Sequence, residues 1–457
     1  MNLINDTIAA ISTPVGEGGI AIVRVSGPDS LRIADICFKP SAKNVIPSAV
    51  PSHTIHYGYI VRNGEIIDEV MLAVLRKPRT YTREDMLEIS CHGGTLPAKM
   101  VLETLIEHGA RLAQPGEFTK RAFLNGRIDL TQAEAVIDII HSRTELAMKM
   151  AQRQLEGKLS AKIEEIRNRL MRVLAHIEAH IDFPEEDIEP DTRESLSIQI
   201  KEAIDVIVNL LQTSDEGRIL RQGIKVAIIG KPNSGKSSLL NKLLDYDRAI
   251  VSPIPGTTRD TIEETANIRG IPVVFTDTAG LRSSDDIVEA EGIKRTRRAI
   301  EQSELLLLVM DAGEPFKEEY RENLELISGK KAIIVRNKID LPIRLELPSE
   351  SKIPVVDVSC LTGEGIEKLK DRIRDVVLSG KTIGDSSNVA INLRHKEALL
   401  KAQKSLETAL KALLENESLE FVALDLRIAV NSIGEITGQT ATEDLLDIIF
   451  SQFCIGK

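Results

Sequence analysis

The sequence predicts a protein of mixed class, α/β and α: an N-terminal α+β domain, a discontinuous helical domain, and a doubly wound phosphate-loop domain inserted in the helical one. Three observations predict it. A glycine-rich phosphate-binding motif stands at residues 230–237, strand-length and helix-length segments alternate after it, and long proline-poor segments with apolar residues at helical spacing flank that region. The 457 residues are enough for about three domains, each with its own core.

The changes in pattern along the chain give the expected domain boundaries. The N-terminal domain covers 1–120, the two parts of the helical domain cover 121–218 and 380–457, and the phosphate-loop domain covers 219–379. One interrupted helical domain is expected because an inserted domain tends to have closely spaced termini. Two independent helical bundles are the alternative arrangement.

Composition and charge narrow the classes of function. The formal net charge is −11, so the overall field repels phosphate and gives no support for generic nucleic-acid binding. The four cysteines, Cys37, Cys91, Cys360 and Cys454, form neither a C-x-x-C pair nor a zinc spacing, which predicts a reducing compartment. The sequence has no secretory signal and no apolar run of about 20 residues, so a cytoplasmic protein without a membrane span is expected.

The N-terminal region has the pattern of a mixed α/β domain. Strands are predicted at 20–25, 66–75 and 86–89, and an amphipathic helix is predicted at 97–108. Arg24 inside an apolar strand, Glu88, and the turn from His92 to Gly94 are candidates for the lining of a small-molecule pocket. The alternative is that these charges lie on edge strands and that the glycines only form a turn.

Helical periodicity dominates on both sides of the phosphate-loop region. Residues 130–181 contain one internal glycine and no proline, and their apolar spacing predicts one or two long helices. An acidic, proline-marked break is expected at 183–190, followed by a helix through 196–211. After a linker at 379–388, a helix is predicted through 399–413. The last helix is predicted to begin at a capping box that runs from Thr440 to Glu443.

The motif G-x-x-x-x-G-K-S predicts a phosphate-binding loop between a strand and a helix. Its glycines allow successive backbone N–H groups to point inward, Lys236 reaches the outer phosphates, and the Ser237 hydroxyl is a candidate Mg²⁺ ligand. The apolar strand before the loop and the amphipathic helix after it favour this interpretation over a plain glycine turn. The candidate nucleotide contacts in the loop are Asn233, Ser234, Gly235, Lys236, Ser237 and Ser238.

A second motif selects the base of the nucleotide. In Asn337-Lys338-Ile-Asp340, the Asp340 carboxylate accepts two hydrogen bonds from guanine, whereas adenine would leave that carboxylate unpaired. Ser359 and Cys360 stand where GTPases usually carry Ser-Ala-Lys, and a backbone N–H there can still meet the guanine oxygen. These motifs follow predicted strands and therefore indicate a Ras-like doubly wound P-loop GTPase domain that binds GTP.

The catalytic arrangement differs from that of Ras-like proteins. The segment from Asp277 to Gly280 supplies a carboxylate for Mg²⁺ through water and an N–H for the γ-phosphate, but Leu281 follows instead of a glutamine. Thr258, in a loop that is predicted to be mobile, is the second candidate Mg²⁺ ligand. Asn233 puts an amide oxygen beside the phosphates, where a monovalent cation could replace an arginine finger. Glu289 is a candidate for orienting water, with a solvated charge on a helix face as the alternative.

Further motifs stand outside the phosphate-loop region, at both ends of the chain. They include His92-Gly-Gly, the segment from Pro115 to Gly126, and the terminal Cys454-Ile-Gly-Lys457. With the motifs above, this ordered set resembles the MnmE (TrmE) family of tRNA modification GTPases over the whole chain. The matching segments are residues 6–9, 19–27, 82–94, 115–126, 230–238, 256–260, 277–282 and 454–457.

The resemblance implies a homodimer that acts on tRNA with the flavoprotein MnmG. The pair would add a carboxymethylaminomethyl or aminomethyl group to C5 of the wobble uridine, with GTP, Mg²⁺, K⁺ and 5-formyl-tetrahydrofolate or another one-carbon tetrahydrofolate as cofactors. The N-terminal domain would serve dimerisation and folate binding. The implied folate contacts are Arg24, Glu88, Lys457 and Arg127, which stands where the family usually has lysine.

The resemblance also assigns the cations and the catalytic groups. It implies that Glu289 orients the attacking water and that Cys454 is a functional thiol, a packed apolar side chain being the alternative for Cys454. The implied K⁺ contacts are Asn233, Ser252, Ile254 and Thr257, and the further implied GTP contacts are Ser252, Thr257, Thr258, Asp277 and Gly280.

The alternative function is a ribosome-assembly or signalling GTPase of the Era type. Such a protein calls for a basic RNA-binding module after the nucleotide domain, and the mixed-charge helix beyond residue 380 does not have that composition.

Overall fold

The computed structural model describes residues 6–14, 16–43, 45–182, 190–247, 264–276, 298–348, 353–378 and 391–457. The predicted break at 183–190 therefore lies outside the described residues except for Pro190, and the predicted linker at 379–388 lies wholly outside them. The chain divides into two compact units, residues 1–137 with 431–457, and residues 138–430. Among the helices that the structure describes, none is both long enough and apolar enough to cross a membrane.

In chain order, the elements before the phosphate-loop region are β1 (Ile8–Ile11), β2 (Ile20–Ser26), α1 (Ser30–Cys37), β3 (Phe38–Pro40), β4 (Thr54–Arg62), β5 (Glu65–Leu75), β6 (Met86–His92), α2 (Thr95–Glu107), β7 (Arg111–Leu112), α3 (Glu117–Leu124), α4 (Leu130–His141), α5 (Glu145–Leu155), α6 (Lys158–Asp182), α7 (Pro190–Gln212) and α8 (Ser214–Gln222). The elements that follow are β8 (Ile224–Gly230), α9 (Lys236–Asp247), β9 (Glu264–Ile268), β10 (Ile271–Phe275), β11 (Leu305–Asp311), α10 (Glu318–Leu326), β12 (Ala332–Asn337), β13 (Val355–Val358), α11 (Ile366–Val377), α12 (Leu393–Leu414), α13 (Leu419–Thr437) and α14 (Glu443–Ser451).

The first unit is built on a seven-stranded sheet with strand order β3-β4-β5-β6-β2-β1-β7. All neighbouring strands are antiparallel except β1 and β7. The three predicted strands and the predicted helix are confirmed as β2, β5, β6 and α2. Strand β4 was not predicted, and it is joined to β5 by Asn63 and Gly64. These two residues have φ of 52° and 84°, which suits a two-residue turn.

Period-two alternation along the central strands separates an apolar face from a charged one. Val23 and Val25 on β2, with Leu87 and Ile89 on β6, are buried in the core beneath α1 and α2. Arg24 lies between the two valines in sequence and therefore points to the opposite face of the sheet. It is paired in register with Glu88 on the neighbouring strand.

The C-terminal residues of the first unit form a second small core with its helices α3 and α4. Leu446, Ile449, Phe450 and Phe453 pack with Ala122, Ile128, Leu130 and Ala133. The predicted capping box was wrong by two residues, because the N-cap of α14 is Thr442, whose hydroxyl accepts from Leu445 N. The Thr440 hydroxyl donates instead to the carbonyl oxygen of Asn431 at 2.8 Å.

The helices after residue 129 correct the prediction of one or two long helices over 130–181. That stretch forms three helices, α4, α5 and α6. Thr144 begins α5 because its hydroxyl caps Ala147 N, and Gly157, with φ of 82°, follows the end of α5. Helix α7 packs against both α6 and α12, so a helix before the phosphate loop contacts a helix after it.

The six-stranded sheet of the second unit has strand order β13-β12-β11-β8-β10-β9. The strands predicted around the phosphate loop are confirmed. The four strand pairs β10–β8, β8–β11, β11–β12 and β12–β13 are all parallel. Along β11, Leu305, Leu307 and Val309 face one apolar core, and Leu306, Leu308 and Met310 face the other. Burial on both faces is typical of a doubly wound sheet. Strand β9 was not predicted and pairs antiparallel with β10 at the edge.

Candidate functional site

The phosphate loop lies where β8 ends and α9 begins, at the carboxyl ends of the parallel strands. Gly230 has φ of 147°, and a Cβ there would lie 2.3 Å from the Val309 carbonyl oxygen. Gly235 has φ of 97°, and a Cβ there would lie 2.0 Å from Asn337 Nδ2. Both positions therefore need glycine for close backbone approach as well as for conformation. Asn233, between them, is also left-handed, with φ of 60°.

The charge of Lys236 is directed at the inside of this loop. Its Nζ donates to the Lys231 carbonyl oxygen at 2.6 Å, and burial lowers the pKa of its ammonium. Lys236 begins α9, so the ammonium and the helix N-terminus supply positive potential to one small region. Ser237 and Ser238 stand on the first turn of that helix, and both are exposed. The arrangement suits an anion with several oxygens, such as a polyphosphate.

Ser234 and Asn337 join the phosphate loop to the loop that follows β13. Asn337 is buried, and its Nδ2 donates to the Ser234 carbonyl oxygen at 3.0 Å. Its Oδ1 accepts from Cys360 N at 3.1 Å. The Ser234 hydroxyl is buried and has no hydrogen-bond partner among the residues that the structure describes. One amide side chain therefore fixes the spacing between the phosphate-binding and base-binding segments.

The predicted base-binding residues lie together beside Asn337. Asp340 is exposed, and its Oδ1 accepts a hydrogen bond from the Ser359 hydroxyl at 2.6 Å. Ser359 is buried, so its hydroxyl holds the Asp340 carboxylate in one orientation while the other oxygen is left for a ligand. Lys338 has φ of 67° and its Nζ pairs with Asp311 at 2.6 Å. Burial raises the pKa of the Cys360 thiol to about 11, so this thiol is neutral at pH 7.

Several predicted residues of the nucleotide site lie outside the described residues. They are Ser252, Ile254, Thr257, Thr258, Asp277, Gly280 and Glu289. The contacts expected of them with Mg²⁺, K⁺, GTP and water stay predictions.

The first unit brings a second group of predicted residues together. Arg24 donates through Nε and Nη2 to Glu88 Oε1 at 3.0 and 2.8 Å, and the two side chains are only 16% and 32% exposed. Because β2 and β6 are interior strands of the sheet, the interpretation of these charges as edge-strand residues was wrong. Glu84, which lies nearby in sequence, contacts Ser26 and Arg121 instead.

The C-terminal segment lies against this ion pair. Arg24 Nη1 donates to the Gly456 carbonyl oxygen at 3.3 Å, and the Ser12 hydroxyl donates to the same oxygen at 3.1 Å. Gly456 has φ of 91°, and a Cβ there would lie 2.5 Å from the Ile11 carbonyl oxygen. Burial and the charge of Arg24 lower the pKa of Lys457, although Glu88 and Cys454 act in the opposite direction. Cys454 itself is exposed.

Tyr81 was missed by the sequence reasoning, although it connects Arg24 to Arg127. The Arg24 guanidinium lies 5.7 Å from the centre of the Tyr81 ring, and the Arg127 guanidinium lies 4.7 Å from it. Arg127 Nη1 also donates to the Tyr81 carbonyl oxygen at 3.3 Å. An aromatic residue between two threonines, Thr80 and Thr82, was the only signal for it. His92, in the predicted turn, contacts none of these described residues through its ring; its Nδ1 pairs with Asp68 at 2.6 Å.

A parallel sheet with a glycine loop, a half-buried lysine and the predicted base-binding segment at its carboxyl edge is typical of a P-loop GTPase. The family model for the MnmE helical domain matches residues 130–454, and the model for the N-terminus of the GTP-binding protein TrmE matches residues 7–127. The chain belongs to the MnmE (TrmE) family and is a GTP-hydrolysing enzyme.

Relatives of similar length support this assignment. The tRNA modification GTPase MnmE of Thermoanaerobacter pseudethanolicus is 48% identical over 461 aligned positions and covers 100% of both chains. Those of Clostridioides difficile and Geobacter sulfurreducens are 49% and 47% identical, each over 99% of this chain and 100% of the relative. Among solved structures, the G domain of the T. maritima FeoB iron transporter aligns with 34% of this chain and 98% of that chain, at 29% identity and a TM-score of 0.26.

Proposed function

We propose that this chain is a K⁺-dependent GTPase that modifies tRNA together with the flavoprotein MnmG. The reaction adds a carboxymethylaminomethyl or aminomethyl group to C5 of the wobble uridine of certain tRNAs, with a tetrahydrofolate as the one-carbon donor. The full-length relatives carry the name tRNA modification GTPase, which supports the substrate class. The proposed folate binding is supported by one observation. The ion pair of Arg24 and Glu88 contacts the C-terminal segment, where Arg24 donates to the Gly456 carbonyl oxygen.

In this proposal, GTP occupies the phosphate loop and the segment that Asn337 joins to it. Lys236 and the loop N–H groups neutralise the phosphates, and Asp340 selects guanine. Mg²⁺, held by Ser237 and Thr258, would neutralise the β- and γ-phosphates. The lack of room for a Cβ at the loop glycines supports phosphate binding by this loop. Only a backbone without Cβ leaves its N–H groups accessible to phosphate oxygens here.

K⁺ is proposed beside the same phosphates, where it would supply the positive charge that an arginine finger supplies in other GTPases. The exposed, left-handed Asn233 at the tip of the loop supports this, because its amide oxygen is a neutral ligand. The other proposed K⁺ ligands are Ser252, Ile254 and Thr257. Glu289 is proposed to orient the attacking water, and Asp277 and Gly280 to respond to the γ-phosphate.

The folate is proposed to bind at the Arg24–Glu88 pair, with Arg127 and Lys457 as further contacts. A pterin ring has the same amide and amino edge as guanine, so a half-buried carboxylate such as Glu88 is a suitable acceptor for it. Cys454 is exposed on the terminal segment and is proposed to be the functional thiol of this site.

The proposal includes the domain division expected from the sequence. Residues 1–120 would bind folate and form the homodimer contact, 121–218 and 380–457 would form one helical domain, and 219–379 would be the inserted GTPase domain. The packing of α7 against α12 supports one helical domain, since these helices precede and follow the GTPase region.

Nucleoside analysis of bulk tRNA tests the proposed reaction. Cells that lack this chain should lose the modified wobble uridine, the wild-type gene should restore it, and Arg24→Ala should restore less than about a tenth of it. Arg32→Ala is the matched control, because Arg32 is an exposed arginine of the same unit whose one ion pair among the described residues is with Asp29. Unchanged nucleoside profiles in the deletion strain would refute the modification and favour the alternative of an Era-type GTPase.

Hydrolysis in different salts tests the cation. The GTPase rate should be at least about tenfold higher in KCl than in NaCl, because a cation at the phosphates stabilises the charge that develops there. Asn233→Ala should remove most of this difference, whereas Asn241→Ala, at an exposed position of α9, should not. Equal GTPase rates of the wild type in the two salts would show that K⁺ does not activate hydrolysis.

A further inference from the structure

The first unit contains a cavity of about 540 Å³ whose lining is rich in arginine. Arg79, Arg83 and Arg127 line it together with His53, Thr80 and Tyr81. The lining residues that the structure describes include no carboxylate. Three guanidinium groups around one concave space indicate a ligand with several negative charges.

The arginines of this unit fall into two groups according to their partners. One group forms ion pairs with carboxylates and contains Arg24, Arg32, Arg62, Arg111 and Arg121. The other group forms no ion pair with any residue that the structure describes, and it contains Arg76 and the three cavity arginines. The unneutralised guanidinium groups are therefore concentrated at one place, where desolvation by a ligand would be offset by its own carboxylates.

The segment that carries the cavity arginines is held by hydrogen bonds rather than by charges. The Thr80 hydroxyl donates to the Glu84 carbonyl oxygen at 2.7 Å, and Arg83 N donates to the Thr80 carbonyl oxygen at 3.4 Å. Arg83 Nη1 donates to the Asn125 carbonyl oxygen at 2.9 Å. Arg83 is thus positioned while most of its N–H donors are left for a ligand, and Arg79 has no partner among the described residues.

The cavity adjoins the proposed folate site at Tyr81 and Arg127. Tyr81 lines the cavity, and the centre of its ring lies 5.7 Å from the Arg24 guanidinium and 4.7 Å from the Arg127 guanidinium. Arg127 is both a cavity residue and a proposed folate contact. A folate whose pterin ring lies at Arg24 and Glu88 therefore has an anion-binding space beside it.

We propose that this arginine cavity binds the glutamate tail of the folate and favours folates with poly-γ-glutamate tails over the monoglutamate. This inference rests on the proposed folate function. Each γ-linked glutamate adds one carboxylate, and guanidinium groups bind carboxylates through paired N–H donors. The cavity then acts as a selectivity site for the length of the tail, separate from the contacts with the ring.

Titration of the full chain with the monoglutamate and the pentaglutamate of 5-formyl-tetrahydrofolate tests the inference. The pentaglutamate should bind at least about tenfold more tightly at low ionic strength, and the difference should shrink in high salt. The double variant Arg79→Gln, Arg83→Gln should lose this difference, because its affinity for the pentaglutamate should fall much more than its affinity for the monoglutamate. Arg32→Gln is the matched control and should keep the difference.

Other results would lead to different conclusions. Equal affinities for the two folates in the wild type, or an undiminished difference in the double variant, would overturn the inference while the folate site stands. A double variant that keeps the difference but binds tRNA more weakly would assign the cavity to RNA instead. Failure of the wild type to bind either folate would overturn the proposed folate function as well. If the double variant does not fold, Arg79→Gln alone, at a side chain without described partners, should still lower the difference by about threefold.

Discussion

The phosphate loop and the Arg24–Glu88 cluster are built in opposite ways. The loop comes from consecutive residues, and its shape is set by backbone at Gly230 and Gly235, where even a Cβ has no room. The cluster comes from residues far apart in sequence, and its shape is set by side chains on two paired strands and by the terminal segment at Gly456. A site made by backbone appears in the sequence as a motif with fixed spacing, whereas a site made by sheet register does not.

The same difference predicts which substitutions each site tolerates. The loop should be sensitive to the addition of a methyl group and less sensitive to the chemistry of its exposed side chains. The cluster should be sensitive to the number and geometry of N–H donors on a single side chain.

The largest effect is expected from Gly235→Ala. The added Cβ would lie 2.0 Å from Asn337 Nδ2, at a residue with φ of 97°, so the loop or the Asn337 bridge must move. GTP affinity should fall at least about 100-fold, as measured by calorimetry, because the phosphate contacts depend on that backbone. Gly329→Ala is the matched control, since Gly329 has φ of 77° but open space around its Cβ position. Equal GTP affinities of the two variants would show that close approach does not matter.

Cysteine reactivity gives a second test of the two sites, because Cys360 lies in the loop that Asn337 joins to the phosphate loop and Cys454 lies on the terminal segment. Cys360 is half-buried and burial raises its pKa to about 11, whereas Cys454 is exposed. At pH 8, iodoacetamide should modify Cys454 at least about thirtyfold faster than Cys360, because the thiolate is the reactive form. Mass spectrometry gives both rates in one sample, with the buried Cys37 and Cys91 as internal controls that react only after denaturation. Similar rates at Cys360 and Cys454 would contradict the described burial.

A smaller effect is expected from Arg24→Lys. Lysine keeps the charge but cannot donate at once through the three positions that contact Glu88 and the Gly456 carbonyl oxygen. Affinity for 5-formyl-tetrahydrofolate should fall about tenfold, while GTP affinity should stay within about twofold of the wild type. Arg32→Lys should change neither. If Arg24→Lys lowers GTP affinity as strongly as folate affinity, the two sites are not distinct in the way described.

The sequence predicted most of the nucleotide sheet, for a physical reason. Buried parallel strands appear as short apolar runs, and the motifs at their ends are local, so β8, β11 and β12 were located with the residues that follow them. Strand β9 was missed because an antiparallel edge strand has no such run, its residues including Glu264, Thr265 and Asn267. The three helices over 130–182 were missed because Thr144 and Gly157 are weak signals inside a strongly periodic stretch.

The first unit was less accessible to prediction. Its strand types could be predicted, but the pairing of β2 with β6 is a long-range contact, and only this register brings Arg24 to Glu88. The local pattern offered Arg24 and Glu88 as pocket candidates with edge-strand charges as the alternative, and the resemblance implied that they are folate contacts. The arginine cavity could not have been predicted, because what distinguishes Arg79 and Arg83 is the lack of carboxylate partners among the described residues, and that is visible only in three dimensions.

We infer that Asp340, oriented by Ser359 and joined to the phosphate loop through Asn337, selects guanine. Competition binding with GDP, ADP and XDP on the wild type and on Asp340→Asn tests it most directly. The wild type should prefer GDP over ADP by at least about 1000-fold, and Asp340→Asn should lose most of its GDP affinity and prefer XDP, whose oxygen accepts from the new amide. Similar affinities of the wild type for GDP and ADP, or unchanged GDP affinity in Asp340→Asn, would show that Asp340 does not select the base.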